Sequence, residues 1–268
     1  MARKTKKEIY ADFNIEFIKI GTAEKLVSPL GLVSPLLVDG NGKIGKGVYH
    51  FSTCPGNKEF SANINGVDYS VFGTCGDTCP GCYGFSNNYK RFGYDALVIR
   101  TVLAREYMDF TRRAILAQLI ADNVKTVRIH ATGDFFSRDY LNMWKEIIRR
   151  NPGVIFWSYT KEYAAENAFD EFDNANIVKS NVLEMGYNYG HCDYIIAAYN
   201  MLKSMGKDVY VCRCGIDKNQ HCTNCTACAR CQHVLFIEHS TSYNVAKDSA
   251  YNAVVDLINS QGDKYLTK

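Results

Sequence analysis

The 268-residue sequence contains no apolar run near the roughly 18–20 residues that a membrane-spanning helix needs, so a membrane protein is not expected. The basic segment Arg3–Lys7 is followed by no apolar stretch, and a secretory signal is therefore not expected. The formal net charge is only +3, which predicts no strong attraction to nucleic acid by itself. These absences indicate an ordinary folded protein of the cytoplasm.

The sequence also lacks the signatures of several common enzyme classes. It has neither the Gly-x4-Gly-Lys-Ser/Thr phosphate loop nor the Gly-x-Gly-x-x-Gly turn of dinucleotide-binding proteins. The His-Glu-x-x-His motif of metalloproteases and the Gly-x-Ser-x-Gly elbow of hydrolases are missing as well. Cys79 and Cys82 match half of the zinc deaminase pattern, but the His-x-Glu that should precede them is not there. None of these reactions is therefore predicted.

Cysteine, in contrast, is abundant, with 11 in the chain. An odd number cannot pair completely in internal disulfides, and in a reducing cytoplasm clustered cysteines bind metal more often than they form disulfides. Cys192 stands alone and is interpreted as a buried core thiol. All the others are candidate metal ligands: Cys54, Cys75, Cys79, Cys82, Cys212, Cys214, Cys222, Cys225, Cys228 and Cys231.

The C-terminal cysteines form a predicted metal-binding loop over residues 212–231. Three consecutive Cys-x2-Cys steps end at Cys231, and a Cys-x-Cys pair begins at Cys212. A packed run of this kind suits a [4Fe-4S] cluster, because its thiolates bind different irons of one cluster. Structural zinc more often uses two short cysteine pairs separated by a loop. Zinc nevertheless stays the alternative metal, since thiolates bind both.

A separate candidate site uses Cys75, Cys79 and Cys82, which have the spacing Cys-x3-Cys-x2-Cys. Three thiolates leave one iron of a four-iron cluster without a protein ligand, and an open position of this kind binds a substrate or cofactor in catalytic zinc sites. Cys54, in Thr53-Cys54-Pro55-Gly56, is the residue that would close the site instead. Four thiolates would indicate a structural site, and three would indicate chemistry.

The pattern of apolar residues predicts an α/β protein. Turn signals at residues 38–43 and at Asn65-Gly66 predict β-hairpins in a β-rich N-terminal region, residues 1–72. Residues 94–122 are interpreted as one long helix or two abutting helices. Strands and helices then alternate, which predicts parallel βα units in a barrel-like domain over residues 73–268. The predicted strands are 126–131, 154–159, 176–182, 209–212 and 234–237, and the predicted helices are 139–150, 162–172, 193–205 and 242–258. Ser137 is the predicted N-cap of helix 139–150, and Trp144 on that helix is interpreted as a core residue.

In folds of this kind the chemistry lies at the C-terminal ends of the strands. The polar residues there are His130, Gly133 and Asp134 after one predicted strand, and Thr160 and Lys161 after the next. His130 and Asp134 are candidates for proton transfer or cofactor binding, with a structural hydrogen-bonded pair as the alternative. Lys161 is a candidate for binding an anionic group, with a solvated lysine as the alternative.

The motif of Cys75–Cys82, in a loop before a helix, resembles the cluster-binding motif of radical S-adenosylmethionine enzymes. The resemblance implies a partial (βα) barrel, a [4Fe-4S] cluster on the three cysteines and S-adenosylmethionine on the open iron. It also implies that Gly133 and Asp134 hold the amino end of that cofactor, with Thr160 at the end of the next strand. C-terminal cysteines for a second iron–sulfur centre also recur in that superfamily.

Several separate sequence pieces occur in one order between residues 50 and 240. They are Thr53-Cys54-Pro55-Gly56, Cys82-Tyr83, Arg128-x-His130-x-x-Gly133-Asp134, Tyr140-x3-Trp144, Phe156-Trp157-x-Tyr159-Thr160-Lys161 and Cys222-x2-Cys225-x2-Cys228. Together they resemble the mycobacteriophage "gene product 88" family more closely, and this resemblance implies an origin in a phage or other mobile element.

The sequence therefore predicts an iron–sulfur protein of the host-cell cytoplasm, of radical S-adenosylmethionine type, whose substrate it does not identify. The alternative is a non-enzymatic protein, stabilised by zinc or an iron–sulfur cluster, that binds a host protein or nucleic acid.

Overall fold

In the computed structural model of the protein, the chain divides between Phe156 and Trp157 into two units. The first unit is Met1–Asp39 with Gly47–Phe156, and the second is Gly40–Lys46 with Trp157–Lys268. The predicted division into residues 1–72 and 73–268 has other boundaries and stays a prediction about folding domains. The structure describes residues 3–40, 44–76, 83–85, 94–180, 189–217, 220–237 and 249–266. Within these ranges, none of the helices combines the length and the hydropathy of a transmembrane segment.

The first unit combines helices with short strands. Its helices are α1 (Lys6–Asp12), α2 (Asp95–Glu106), α3 (Met108–Ala121) and α4 (Arg138–Arg150). Its strands are β1 (Phe17–Ile20), β2 (Ala23–Ser28), β3 (Gly31–Val33), β4 (Val38–Asp39), β5 (Val48–Phe51), β6 (Glu59–Ile64), β7 (Val67–Phe72) and β8 (Thr126–Ile129), and β9 (Ile155–Thr160) begins in this unit.

Helix α1 was not expected, because only strands were predicted over the first 50 residues. A capping box starts it: Thr5 Oγ1 accepts the Glu8 N–H at 3.3 Å, and the Glu8 carboxylate accepts the Thr5 N–H at 2.7 Å. Lys6 then pairs with Glu24 at 2.8 Å and with Asp122 at 2.7 Å. The Thr-x-x-Glu pattern of the capping box was the sequence signal for this helix.

The predicted hairpins are confirmed. Strands β6 and β7 pair antiparallel around Asn65 and Gly66, whose φ values of 52° and 87° suit an Asn-Gly turn. Strands β1, β2 and β3 form an antiparallel sheet, and β4 pairs antiparallel with β5. Strand β5 also pairs in parallel with β8, so the C-terminal ends of these two strands lie side by side.

The helices of the first unit follow the sequence pattern. Residues 94–122 form two abutting helices, α2 and α3, that meet at Tyr107. Ser137 caps α4 as predicted, since its hydroxyl accepts the Tyr140 N–H at 3.1 Å. Trp144 of α4 is fully buried and packs edge-on against Phe51, which confirms its interpretation as a core residue.

The second unit contains the rest of β9 and seven further described elements. They are β10 (Ala175–Lys179), β11 (Tyr189–Gly190), α5 (Cys192–Ser204), β12 (Val209–Val211), α6 (Ala227–Arg230), β13 (His233–Ile237) and α7 (Ser249–Ser260). Three of the strands form a small parallel sheet in the order β11-β13-β12. Helices α5 and α7 pack on each other, and Cys192 at the start of α5 is a buried core thiol, as predicted.

One predicted helix is wrong. Residues 162–172 form a single 3₁₀ turn, Tyr163–Ala165, followed by turns whose N–H groups bond three residues back, as in Phe172 to Phe169. Asn167 and Asp170 favour turns over helix interiors because their short polar side chains compete for backbone groups. Among the described strands the fold is mixed α/β with several small sheets, none of which closes into a barrel. The partial (βα) barrel stays a prediction.

Candidate functional site

The loops that follow β5 and β8 are hydrogen-bonded to each other. The Thr53 N–H donates to the Thr132 carbonyl at 3.1 Å, and the Thr132 hydroxyl donates back to the Thr53 carbonyl at 2.9 Å. These bonds extend the pairing of the two strands past their C-terminal ends. The edge of the sheet at which βα folds place their chemistry is therefore built from the Thr53-Cys54 and Thr132-Gly133-Asp134 segments.

Thr74, which follows β7, ties a third loop to the same place. Its hydroxyl lies 2.8 Å from that of Thr53, accepts the Asp134 N–H at 3.0 Å and lies 3.1 Å from the Cys54 carbonyl. Thr53, Thr74 and Thr132 are all buried, and we call them the threonine network. The network was missed from the sequence, although Thr-Cys occurs three times, at Thr53-Cys54, Thr74-Cys75 and Thr78-Cys79.

Gly133 is required at this junction. Its φ of 89° lies in the left-handed region that favours glycine. An added Cβ would also collide with Thr53 Oγ1 and stand 2.6 Å from Thr74 Oγ1. The threonine network therefore leaves no room for a side chain at this position.

The network brings Cys54 and Cys75 onto adjoining loops, although 20 residues separate them in sequence. The Thr74 N–H bonds the Cys54 carbonyl at 2.9 Å, and the Cys75 N–H bonds the Gly56 carbonyl at 3.1 Å. Cys54 is fully buried, and burial raises the pKa of its thiol to about 11, with a smaller opposing contribution from Thr101. Cys54 thus resembles a core thiol more than an open ligand. Cys79 and Cys82 lie outside the described residues, so their predicted metal site is not tested.

Two arginines of α2 donate to the main chain of these loops. Arg100 Nε donates to the Ser52 carbonyl at 3.0 Å, and Arg105 Nη2 donates to the Gly73 carbonyl at 3.0 Å. Both guanidinium charges act to lower the pKa of Cys54, against the larger effect of burial. The surroundings of the Cys54 and Cys75 loops are therefore electropositive, which suits an anionic centre.

His130 is buried after β8 with a positive φ of 62°. Its Nε2 lies 2.9 Å from the Tyr140 hydroxyl, and burial, with a smaller effect of Arg128, lowers its pKa to about 3. The Asp134 carboxylate, also buried, accepts the Phe135 N–H at 2.8 Å. These contacts favour a structural role for His130, while Asp134 adjoins Thr74 through its own N–H.

Thr160 and Lys161 belong to the second unit. Thr160 is buried at the end of β9; its hydroxyl accepts the Glu162 N–H at 3.0 Å and its carbonyl accepts the Ser180 N–H at 2.9 Å. Lys161 beside it is half-buried. Thr160 therefore has a structural role at the strand end, and the predicted ligand contacts of both residues stay predictions.

The C-terminal cysteines divide into two groups. In the first, Cys212 follows β12 and Cys222 opens the turn Cys222–Asn224; both lie near enough to Cys214 to shift its pKa through hydrogen bonding. Hydrogen bonding to Cys212 is the main cause, and the pKa of Cys214 is raised to about 12. Burial and the nearby Cys222 raise the pKa of Cys225. Cys212, Cys214, Cys222 and Cys225 therefore share one neighbourhood, and we call them the thiol quartet.

Cys228 and Cys231 have other partners. Cys228 Sγ lies 3.0 Å from the Tyr159 hydroxyl, and the buried Cys231 thiol donates to the Asp208 and His233 carbonyls at 3.4 Å. Asn176 Nδ2 donates to the main-chain carbonyls of both cysteines, at 2.8 and 3.0 Å. These two thiols help to hold the loop to the protein.

Buried polar atoms without hydrogen-bond partners accompany the thiol quartet. Among the described residues, the Tyr210 hydroxyl, Arg213 Nε and His221 Nδ1 make no hydrogen bond of normal geometry. Tyr210 and Arg213 lie close enough to the quartet to interact electrostatically with Cys225. Buried polar atoms seldom lack a partner, so an anionic acceptor beside the quartet would satisfy them. No three His, Cys, Asp or Glu side chains in the described part of the chain are already placed as ligands of one metal ion.

The fold and its sites define a mixed α/β protein with cysteines in both units. A family model described as "Gene product 88" matches residues 35–185, which is more than half of the chain. The chain therefore belongs to the Gene product 88 family of phage proteins. Over 60 residues it is 40% identical to the Gene 88 protein of Mycobacterium phage L5 and 38% identical to that of Mycobacterium phage D29. Each match covers 19% of this chain and 25% of the relative's length, and no solved structure matches.

Proposed function

We propose that this phage-family protein is a metalloprotein whose thiol quartet holds a metal centre in the second unit. The main supporting observation is that Cys212, Cys222 and Cys225 all act on the pKa of Cys214, so that the four thiols of two separate turns lie near one another. The Cys214 thiol, which donates to the Gln220 carbonyl at 3.2 Å, would exchange this bond for the metal. Four thiolates form the ligand set that both structural zinc and iron–sulfur clusters use. The described cysteines are all free thiols, which suits the reducing host cytoplasm as the protein's location.

The buried polar atoms fit such a centre. A divalent metal with four thiolates carries net negative charge, and its sulfurs accept hydrogen bonds from the surrounding protein. The Tyr210 hydroxyl and Arg213 Nε are donors of this kind beside Cys225, while the Nη atoms of Arg213 already pair with Asp263 and with the Gly262 carbonyl. The thiols would turn about their side-chain bonds and release protons as they bind the metal.

The spacing of the quartet favours zinc. Cys212-x-Cys214 and Cys222-x2-Cys225 are two short pairs joined by a loop, the usual arrangement of structural zinc. A [4Fe-4S] cluster on the same thiols is the alternative. With zinc, the protein acts without redox chemistry in this unit, as a binding protein for a host protein or nucleic acid.

Metal analysis with matched cysteine variants tests the proposal. We expect about one zinc per chain in the purified protein, lost in Cys214→Ser and in Cys222→Ser and retained in Cys228→Ser. Circular dichroism checks that each variant is folded. Full retention of metal in folded Cys214→Ser protein, or its loss only in Cys228→Ser protein, would contradict the assignment. About four irons per chain, with the same dependence on Cys214, would replace zinc by a cluster on the same ligands.

The first unit supports a second candidate function, radical S-adenosylmethionine chemistry. The favouring observation is that the Gly133–Asp134 turn is hydrogen-bonded through Thr74 to the loop that carries Cys75. A reduced cluster on these cysteines would give one electron to bound S-adenosylmethionine, which would release methionine and supply the chemistry for abstracting hydrogen from a substrate. Under this hypothesis, Gly133 and Asp134 would hold the amino end of the cofactor, and the positive charge around the loops would stabilise the anionic cluster.

Anaerobic reconstitution with iron and sulfide tests this second function. Reduced wild-type protein should convert S-adenosylmethionine to 5′-deoxyadenosine and methionine, and Cys79→Ser should not. The Cys214→Ser variant should retain this cleavage, because its cysteine belongs to the other centre. Absence of 5′-deoxyadenosine from iron-loaded wild-type protein would exclude the radical function and leave the proposed metal centre of the second unit untouched.

A further inference from the structure

The second unit contains a cavity of about 450 Å³ beside β10 and the start of β13. Its floor includes the buried Leu202 and Cys231, and its walls carry charged and polar side chains. A volume of this size suits a small molecule, since ligand pockets are roughly 300–1,000 Å³. The cavity is separate from the thiol quartet, because none of the four cysteines lines it.

Both carboxylates that line the cavity already have cationic partners. Glu166 pairs with Lys179 at 3.6 Å. Asp208 pairs with Lys264 at 2.9 Å and accepts the Tyr265 hydroxyl at 2.5 Å. Neither carboxylate therefore needs a cation from the ligand.

Two cations of the lining, by contrast, have no such partner. The side chains of Lys207 and Arg230 make no hydrogen bond or ion pair with another residue in the described part of the chain. The pKa of His233 is lowered by burial and by the charges of Lys179 and Lys207, so its ring lies near both lysines. This ring can serve as a further hydrogen-bond donor. The cavity thus presents a surplus of positive charge, which favours an anionic ligand.

Tyr163 adds a flat apolar surface. It lines the same cavity, and 77% of its area is exposed, the largest exposed fraction among the described large apolar residues. An exposed aromatic ring next to cationic groups is the arrangement in which proteins stack a nucleobase and hold its phosphate. The guanidinium of Arg230 is suited to bidentate contact with phosphate oxygens.

We propose that this cavity binds a nucleoside monophosphate, with the phosphate between Lys207 and Arg230 and the base against Tyr163. The ligands that fit are phosphate monoesters that carry a flat ring. Inorganic phosphate alone would contact only the two cationic side chains, and an uncharged nucleoside would contact only Tyr163. This assignment does not depend on the metal centre.

Titration calorimetry on the whole protein tests the assignment with three probes: adenosine 5′-monophosphate, inorganic phosphate and adenosine. The nucleotide should bind most tightly, in the range of about 1–100 μM, and its affinity should fall with salt. Lys207→Gln with Arg230→Gln should weaken nucleotide binding about tenfold or more. The control Lys203→Gln, an exposed lysine outside the cavity lining, should leave it unchanged.

The Tyr163→Ala variant tests the contact with the base independently of the contact with the phosphate. It should weaken the nucleotide and leave the binding of inorganic phosphate unchanged, and its exposed side chain makes loss of folding unexpected. No binding of the nucleotide at about 1 mM would overturn the assignment. Equal affinities of the double variant and Lys203→Gln would also overturn it, and equal binding of phosphate and nucleotide would overturn the role of Tyr163.

Discussion

The two cysteine-bearing regions differ in how their polar groups are satisfied. Around Cys54 and Cys75, threonine hydroxyls and main-chain groups of three loops bond one another, and Cys54 is packed as a core residue. Around the thiol quartet, thiols crowd together, and buried polar atoms of Tyr210 and Arg213 lack partners in the described part of the protein. In the first region the threonine hydroxyls bond protein groups, whereas in the second region the Tyr210 hydroxyl and Arg213 Nε would be satisfied by the proposed metal centre.

This difference teaches that cysteine spacing is a weaker guide than the neighbours of each thiol. Cys225 and Cys228 are equally spaced members of one Cys-x2-Cys run, yet they belong to different groups. Helix α6 begins between them, at Ala227, so Cys228 is carried on a helix while Cys225 forms an extended bridge with Leu266. Because side chains turn by about 100° per residue on a helix and alternate on extended chain, the two thiols take different directions.

Removal of the metal should produce the largest difference between the two regions. Structural zinc contributes roughly 10–16 kcal/mol of apparent binding free energy in zinc-finger peptides, and a part of this should stabilise the second unit. A chelator should therefore increase hydrogen exchange in β12, β13 and α6 and leave α2, α3 and β8 unchanged. Equal increases in hydrogen exchange in both units, or no increase in the second unit, would contradict a metal-dependent stability that is confined to the second unit. Mass spectrometry of peptic peptides measures both regions in one sample.

Gly133→Ala should break the first region. The left-handed φ costs a non-glycine residue roughly 1–2 kcal/mol, and the collision with Thr53 adds to it, so we expect a loss of about 3 kcal/mol or more. Gly153→Ala is the matched control, because its added Cβ meets open space and its φ is not in the positive region. Urea unfolding compares the two variants. Equal free energies of unfolding would show that the threonine network tolerates a side chain.

Acid should weaken the first region through His130. Burial lowers its folded-state pKa to about 3 from an ordinary value of 6.5, so the unfolded chain binds a proton first as the pH falls. Above about pH 6.5, His130 is neutral in both the folded and the unfolded chain and does not lower the free energy of unfolding. As the pH falls towards 3, protonation of His130 in the unfolded chain lowers this free energy, by roughly 2 kcal/mol between pH 7 and pH 5. His50, with its pKa lowered to about 4 by burial, Arg100 and Arg128, acts in the same direction.

His130→Asn checks the origin of this pH dependence. Asparagine tolerates the positive φ of 62° and has no titrating group, so unfolding free energies should change less between pH 7 and pH 5 than in the wild type. An unchanged slope would assign the acid sensitivity to other groups.

Much of the local structure could be predicted from the sequence. Asn65-Gly66 and Ser137 each act within a few residues of chain, through backbone conformation and capping, and both were confirmed. Helix α1 had an equally local signal in the Thr5–Glu8 capping box. It was missed because the prediction for this region followed the apolar residues and the turn signals. The false helix at 162–172 shows the converse, because its helical periodicity is overridden by turn-forming Asn and Asp residues.

The sites depend on contacts that local patterns do not encode. Thr74 meets Thr53 and Asp134 only because β5 and β8 pair in parallel and the β7 loop returns to them. The spacing of the C-terminal cysteines suggested a continuous run of ligands, and the separation of Cys228 and Cys231 depends on Tyr159 and Asn176, more than 50 residues upstream. Predicting either arrangement requires the tertiary fold.

Two tyrosine variants, each lacking one hydroxyl, test whether Cys228 is separate from the thiol quartet. Tyr210→Phe removes a donor beside Cys212 and Cys225 and should weaken metal affinity by about tenfold or more, as loss of an outer hydrogen bond does in other metal sites. Tyr159→Phe removes the contact with Cys228 and should cost about 1 kcal/mol of stability without a change in metal affinity. Competition with a chromophoric chelator measures the affinities, and thermal unfolding measures the stabilities. If Tyr159→Phe weakened metal binding as strongly as Tyr210→Phe, Cys228 would be a ligand and the division of the six cysteines would fail.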